Sequence, residues 1–335
     1  MSFASALGCG ALSPAGSRSG KNHHLVARIA GFVLLLLLPM VSSALEAAKI
    51  RIVVETPAGL QQKVYMTRPA GLTSDRPVVF VMHDNQRKAS ATRDQWHELA
   101  KENNFLLVVP EFNNRFFPGA EGYELGNVFD EAGKVRPRNA WSFSVIEPVF
   151  DEVRRRYGMT TRGYAIYGQG AGARFVHLFL LHVSGARVTQ AVAANADWYT
   201  MPVFNQPFPF GLRNSVVSSG DLAAALQLPL VVLLGAADDE PEQSGEVLPG
   251  GAMAQGSSRF ARGQAFFDSG ADTAARLGVP FGWQLLTVPG AELDSKLLPP
   301  AAIPRLLQGT DPSAPASAPA PEDEVLPATL PTTGP

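Results

Sequence analysis

The chain has 335 residues, 46% of them hydrophobic and 17% charged, with a formal net charge of −2. That composition excludes collagen-like and wholly disordered chains, and the lack of a long basic run argues against a nucleic-acid partner. Its one cysteine, Cys9, precedes the apolar segment described next, so disulfide frameworks, CxxC redox sites and cysteine zinc sites are not expected.

Residues Ile29 to Val41 are almost continuously apolar, with Arg18, Lys21 and Arg28 before them and Ser42, Ser43 and Ala44 after. A basic start, a short apolar run and small residues are the layout of a secretory signal. Thirteen helical residues span about 20 Å, short of the roughly 30 Å of a bilayer core. The expectation is cleavage after Ala44, a periplasmic or secreted product, and no stable membrane span afterwards. No cysteine follows the run, which excludes a lipoprotein anchor. Residues 309–335 are rich in Pro, Ala and Ser without apolar periodicity and read as a disordered tail. Leu330–Gly334 spells LPTTG, but a sorting signal needs an apolar span and basic residues after it, and only Pro335 follows. Residues 45–308 are left for one domain.

Within that domain, Ile50–Glu55 and Gln61–Thr67 alternate about Pro57-Ala58-Gly59 and predict a hairpin. Pro77–Met82 predicts a buried strand ending at His83-Asp84. Trp96–Lys101 reads as helix, and Phe105–Val109 as a second buried strand ending at Pro110-Glu111. Residues 113–140 form a long connection of the kind that often carries a binding loop. Ser144–Tyr157 has helical spacing. Tyr164–Tyr167 is a strand that runs into Gly168-Gln169-Gly170-Ala171-Gly172, followed by helix over Ala173–His182. Gln190–Ala194, Pro229–Leu234 and Trp283–Val288 complete the strands, with a helix at Ser258–Leu277. Short apolar strands alternating with helices predict an α/β fold: a mostly parallel central sheet covered by helices on both faces. Ligands in such sheets bind beyond the carboxyl ends of the strands.

A strand, a tight glycine-flanked turn and a helix make a nucleophile elbow, whose central residue is presented clear of the backbone. Here that residue is Gly170, with Gly168, Ala171 and Gly172 as small neighbours. In this context the chain resembles the α/β-hydrolase fold, and within it the bacterial secreted esterases related to polyhydroxybutyrate depolymerases. The resemblance runs from about Pro77 to Ser295 and rests on PVVFVMHDN, FLLVVPEF, YAIYGQGAGARFVHLFLL, AANADWYTMP, PLVVLLGAADDEP, AMAQGSSRFARGQAFF and FGWQLLTVPGAELDS together. It implies a Ser, Asp or Glu, His triad in that order. The serine position falls on Gly170. The acid falls on Asp238, with Asp239 beside it, and the histidine falls on Leu293 after Pro289-Gly290. The six histidines are His23, His24, His83, His97, His177 and His182, and none follows Asp238. Resembling proteins carry His-Gly after the first central strand, where this chain has His83-Asp84, and a carboxylate there repels a developing oxyanion.

Glycine has no group with which to attack an ester, and leucine can neither accept nor return a proton. The expected function is therefore an exported hydrolase-fold protein without serine-hydrolase activity that keeps a ligand-binding cleft. Candidate cleft residues are His83, Asp84, Glu111, Gln169, Gly170, Ala171, Trp198, Tyr199 and Leu293, with Asp238 as a vestigial acid. Two alternatives stand beside it: an active esterase with an unusual nucleophile or base, for which Ser142, Ser144 and Ser269 are candidates by type, and a structural or partner-binding module. Asp84, Glu111, Asp238, Asp239, Glu292 and Asp294 all follow strands and could form one acidic mouth. His177 and His182, five apart on a helix, are not a same-face metal pair. No metal or cofactor is expected, and the partner is a small molecule of unknown identity.

Overall fold

A computed structural model describes residues 46–239, 250–292 and 295–308. Residues 1–45, where a signal is expected, residues 309–335, and the candidates Leu293 and Asp294 therefore lie outside the described residues. The strands are β1 (Ala48–Glu55), β2 (Gln61–Arg68), β3 (Val78–Met82), β4 (Leu106–Pro110), β5 (Tyr164–Gln169), β6 (Val188–Ala194), β7 (Leu230–Gly235) and β8 (Gln284–Val288). They form one eight-stranded sheet in the order β1-β2-β4-β3-β5-β6-β7-β8. β1 pairs antiparallel with β2, and β2 with β4; every later pairing is parallel.

The helices are α1 (Ala89–Glu102), α2 (Gly119–Tyr123), α3 (Ile146–Tyr157), α4 (Ala171–His182), α5 (Ser219–Gln227), α6 (Gly250–Met253), α7 (Arg259–Leu277) and α8 (Leu298–Gln308). The two faces of the central strands explain their composition. Along β3, Val78, Phe80 and Met82 pack into one core with Phe150 of α3, Phe175 and Phe179 of α4 and Phe266 of α7. Val79 and Val81 face the second core with Trp96 of α1 and Leu298, Ile303 and Leu306 of α8. A strand buried on both sides has no polar position left, so it reads as a continuous apolar run. Each large side chain so buried contributes about 2 kcal/mol of hydrophobic stabilisation.

The sequence expectation for the central strands agrees with these elements. It omits α5, α6 and α8. α5 starts at a capping box in which the Ser218 hydroxyl accepts from Asp221 N–H and the Asp221 carboxylate accepts from Ser218 N–H. α8 carries Pro299 and Pro300 in its first turn, where the missing donors cost nothing, and Pro304 inside. The connection at 113–140 contains α2, a 3-10 turn at Arg138–Ala140 and a bridge between Phe129 and Val135.

α4 is buried along its whole length, which places it at the centre of the domain. Its start is packed backbone against backbone. A Cβ on Gly168 would lie 2.1 Å from the Gly172 carbonyl oxygen, and one on Gly172 would lie 2.6 Å from the Met82 carbonyl oxygen. Only glycine permits β5, α4 and β3 to approach this closely.

Candidate functional site

Gly170 stands between β5 and α4 with φ 55° and ψ −116°. Its N–H continues the ladder to the Ala194 carbonyl at 3.0 Å, and its carbonyl accepts the Arg174 N–H at 3.1 Å. This is the tight strand-to-helix turn that the spacing predicts, in a backbone region that side chains other than hydrogen rarely occupy. The turn is built, and the residue at its tip is glycine.

Asp238 lies three residues beyond β7, where the acid is expected. Asn195 donates from Nδ2 to Asp238 Oδ2 at 2.8 Å, and Asn195 Oδ1 accepts the Gly235 N–H at 2.8 Å. Arg259 approaches Asp238 Oδ1 at 3.4 Å. Burial pushes the Asp238 carboxyl above its ordinary value, with Arg259 pulling the other way. The loop after β8 returns to the same place: Ala236 N–H donates to the Val288 carbonyl at 2.9 Å, and Ala237 N–H to the Ala291 carbonyl at 3.0 Å. Sequence order alone forbids a histidine here, since none follows Asp238.

Three buried histidines, His83, His177 and His182, are held by backbone hydrogen bonds. His83 is fully buried, accepts the Phe112 N–H at Nε2 (3.0 Å) and turns Nδ1 to the Asp84 carbonyl (3.0 Å). The Tyr123 hydroxyl donates to its backbone carbonyl at 2.6 Å. Desolvation drives its pKa down to about 4. His83 thus ties the loop after β3 to the loop after β4, with both ring nitrogens occupied. His177 does the same on α4, accepting the Thr200 N–H at 3.0 Å and bonding the Ala173 carbonyl at 2.9 Å, and burial lowers its pKa to about 3. His182 bonds the Leu178 carbonyl at 2.9 Å among the rings of Trp141, Phe143 and Phe208.

Asp84, Glu111 and Asp239 each turn to partners of their own, and Asp294 lies outside the described residues. Asp84 is exposed and its Oδ1 accepts the Gln86 N–H at 2.9 Å, an Asx turn that keeps its carboxylate on its own loop. Glu111 turns toward β2, where it meets Tyr65 at 3.4 Å and Lys63 at 3.4 Å. Asp239 accepts from Ser258 at 3.0 Å. Glu292 is exposed, and its negative charge adds to the upward push on the Asp238 carboxyl. Among the described residues, no three of His, Cys, Asp and Glu are grouped to hold a metal ion.

Of the remaining cleft candidates, Gln169 accepts the Tyr167 hydroxyl at 2.8 Å, and Ala171 is the buried first residue of α4. Trp198 is nearly buried, between the Arg174 guanidinium at 5.3 Å and Phe210 at 4.8 Å. Tyr199 belongs to the core: it is fully buried and stacks on Phe266 at 4.5 Å, so it cannot line an open cleft. The Ser142 hydroxyl donates to the Tyr123 carbonyl, and the Ser144 hydroxyl to the Arg138 carbonyl. Neither is bonded to a base. Ser269 lines a surface depression on α7 with Asp268, Asp272 and Arg276.

What the residue-by-residue reading missed is a chain of charges beside the elbow. Glu124 pairs with Arg174, Arg174 with Asp197 at 2.5 Å, Asp197 with Arg259 at 3.0 Å, and Arg259 with Asp238. Arg174 offered a signal, since it is an isolated cation in the apolar run AGARFVHLFLL, and such a charge must find partners when buried.

No protein-family model matches the chain, and no curated protein does. Solved structures do. Poly(aspartic acid) hydrolase-1 from Sphingomonas sp. KT-1 is 37% identical with a TM-score of 0.75, over 78% of this chain and 99% of that one. The poly(3-hydroxybutyrate) depolymerase LpqC from Bordetella parapertussis is 32% identical with a TM-score of 0.70, over 75% of this chain and 87% of that one. With the sheet order, the elbow and this similarity together, the chain belongs to the α/β-hydrolase family, alongside these two hydrolases.

Proposed function

We propose that this protein is an exported α/β-hydrolase that has lost serine-hydrolase chemistry and uses the space beside its elbow to bind a small molecule. The observation that carries the reading is Gly170 at the tip of an intact elbow. An ester carbonyl placed over that turn meets hydrogen where a hydroxyl is needed, and no histidine follows Asp238 in the chain to take a proton. His83 does not substitute, because both of its nitrogens are bonded to backbone and its imidazole stays neutral. The ligand class follows from the names of the two similar hydrolases, which act on polymers joined by acyl linkages. A short acyl oligomer or ester that is held and not cleaved fits this reading. Export rests on the apolar run of Ile29 to Val41 and the small residues after it.

The test is turnover of short and medium p-nitrophenyl esters by the purified chain, beside the double variant Gly170→Ser, Leu293→His. The native chain should show only background hydrolysis and no labelling by a fluorophosphonate, and the variant should gain both. Turnover or labelling of the native chain sinks the reading. Export is tested separately by the N-terminus of the mature protein recovered outside the cytoplasm, expected at Leu45.

A further inference from the structure

Three arginines converge on residue 197. The Asp197 carboxylate accepts Arg174 at 2.5 Å on Oδ2 and Arg259 at 3.0 Å on Oδ1, while its backbone carbonyl accepts Arg262 Nε at 2.5 Å. Arg174 stands on the first turn of α4, one turn from Gly170, and Arg259 and Arg262 stand on the first turn of α7. Asp197 follows β6. The cluster therefore sits at the carboxyl ends of β5, β6 and β7, where ligands of this fold class bind.

The geometry is that of carboxylate recognition. Planar guanidinium groups approach one carboxylate from two helices, each engaging a different oxygen. The Arg174 and Arg259 side chains are 10% and 13% exposed, and Asp197 is 18% exposed, so the cations are largely desolvated and the carboxylate reaches the solvent edge. The Arg174 guanidinium also lies over the Trp198 ring at 5.3 Å, which fixes its plane.

We propose that Asp197 is the chain's own occupant of a carboxylate-binding subsite made by Arg174 and Arg259, and that it thereby sets the ligand class. The native protein takes uncharged acyl ligands beside the elbow and refuses a carboxylate there. Without this side chain the same arginines accept a carboxylate from solution. The acyl ligand rests on the proposed function; the carboxylate subsite rests on the charged cluster and holds whether or not the elbow turns over an ester.

The test is calorimetric and thermal titration of the full chain with sodium acetate, against sodium chloride at matched ionic strength, for the native protein, Asp197→Ala and Asp197→Asn. The asparagine variant keeps the shape and one acceptor for the guanidinium groups, so it removes the charge and leaves the space filled. Asp197→Ala should bind one acetate at least tenfold more tightly than the native chain and melt at a higher temperature in acetate than in chloride, and Asp197→Asn should show no such response. Adding Arg259→Ala to Asp197→Ala should abolish the acetate response. If acetate acts no better than chloride on Asp197→Ala, or if the native chain or Asp197→Asn binds it equally well, the subsite does not exist as proposed. Should Asp197→Ala be insoluble in chloride, recovery by refolding in acetate supports the proposal, and equal loss in both salts counts against it. Ester turnover in the elbow variants reads a different group of atoms, so its failure leaves the acetate result standing.

Discussion

Asn195 holds Asp238 in place: its amide nitrogen donates to the Asp238 carboxylate at 2.8 Å, and its amide oxygen accepts from the strand-end Gly235 N–H at 2.8 Å. The residue is fully buried and has a left-handed φ of 42°. A single side chain thus couples the end of β6 to the end of β7 and to the acid beyond it.

This coupling separates two costs. Asn195→Gly suits the backbone and loses only the two hydrogen bonds, for a destabilisation of about 2–3 kcal/mol. Asn195→Ala loses the same bonds and adds left-handed strain of about 1 kcal/mol. Urea unfolding of the two variants should therefore rank alanine below glycine. The reverse order means that the backbone at 195 relaxes.

At the elbow, glycine relieves a strain that any nucleophile there has to bear. With φ 55° and ψ −116°, Gly170→Ala or Gly170→Ser should lower stability by about 1–3 kcal/mol. Denaturant titration measures it. An unchanged midpoint shows that the turn has moved to another conformation, and the double variant then has no elbow from which to act.

Gly172→Ala tests the close approach of α4 to β3. The added Cβ would lie 2.6 Å from the Met82 carbonyl oxygen, a backbone atom that cannot swing away. Overpacking of this kind costs about 1–3 kcal/mol. The shift should appear as a lower melting temperature, and the amides at the end of β3 should exchange faster in hydrogen-exchange measurements.

Acid should unfold the domain early, because it buries three neutral imidazoles. Desolvation lowers His83 and His182 to about 4 and His177 to about 3, whereas an unfolded chain protonates histidine near 6.5. A lowered folded-state value means that the unfolded chain binds more protons between these limits. Stability is complete above pH 6.5, falls as the pH drops toward 4, and levels off below that as the folded imidazoles protonate too. The three groups together remove about 5 kcal/mol between pH 7 and pH 5. Urea midpoints across this range check the slope, and His182→Phe should flatten it by about one third.

The sequence reading reached the central strands and the elbow because their signals are local. A strand buried on two faces is apolar at every position, as in PVVFVM, and a turn that brings backbone against backbone is written in Gly168 and Gly172. It missed α5 and α8, whose apolar content is short and interrupted, and it gave Tyr199 to the cleft because an aromatic residue near a strand end looks the same whether it faces ligand or Phe266. It left open that Asp84, Glu111, Asp238, Asp239, Glu292 and Asp294 share one mouth, with solvated loop charges as the ordinary reading. Among the described residues Asp84 bonds its own turn, Glu111 meets Lys63, Asp239 accepts from Ser258 and Asp238 from Asn195.

What the sequence alone determines is what cannot be present: a hydroxyl at residue 170 and a histidine anywhere after Asp238. Absence of a side chain needs no coordinates, since no folding restores an atom the chain lacks. What only the tertiary structure decides is who pairs with whom. Glu124, Arg174, Asp197, Arg259 and Asp238 lie up to 135 positions apart and become one line of charge only when β5, β6 and β7 end side by side and α4 meets α7. Buried charges take partners by distance in space, and spacing along the chain carries no record of it.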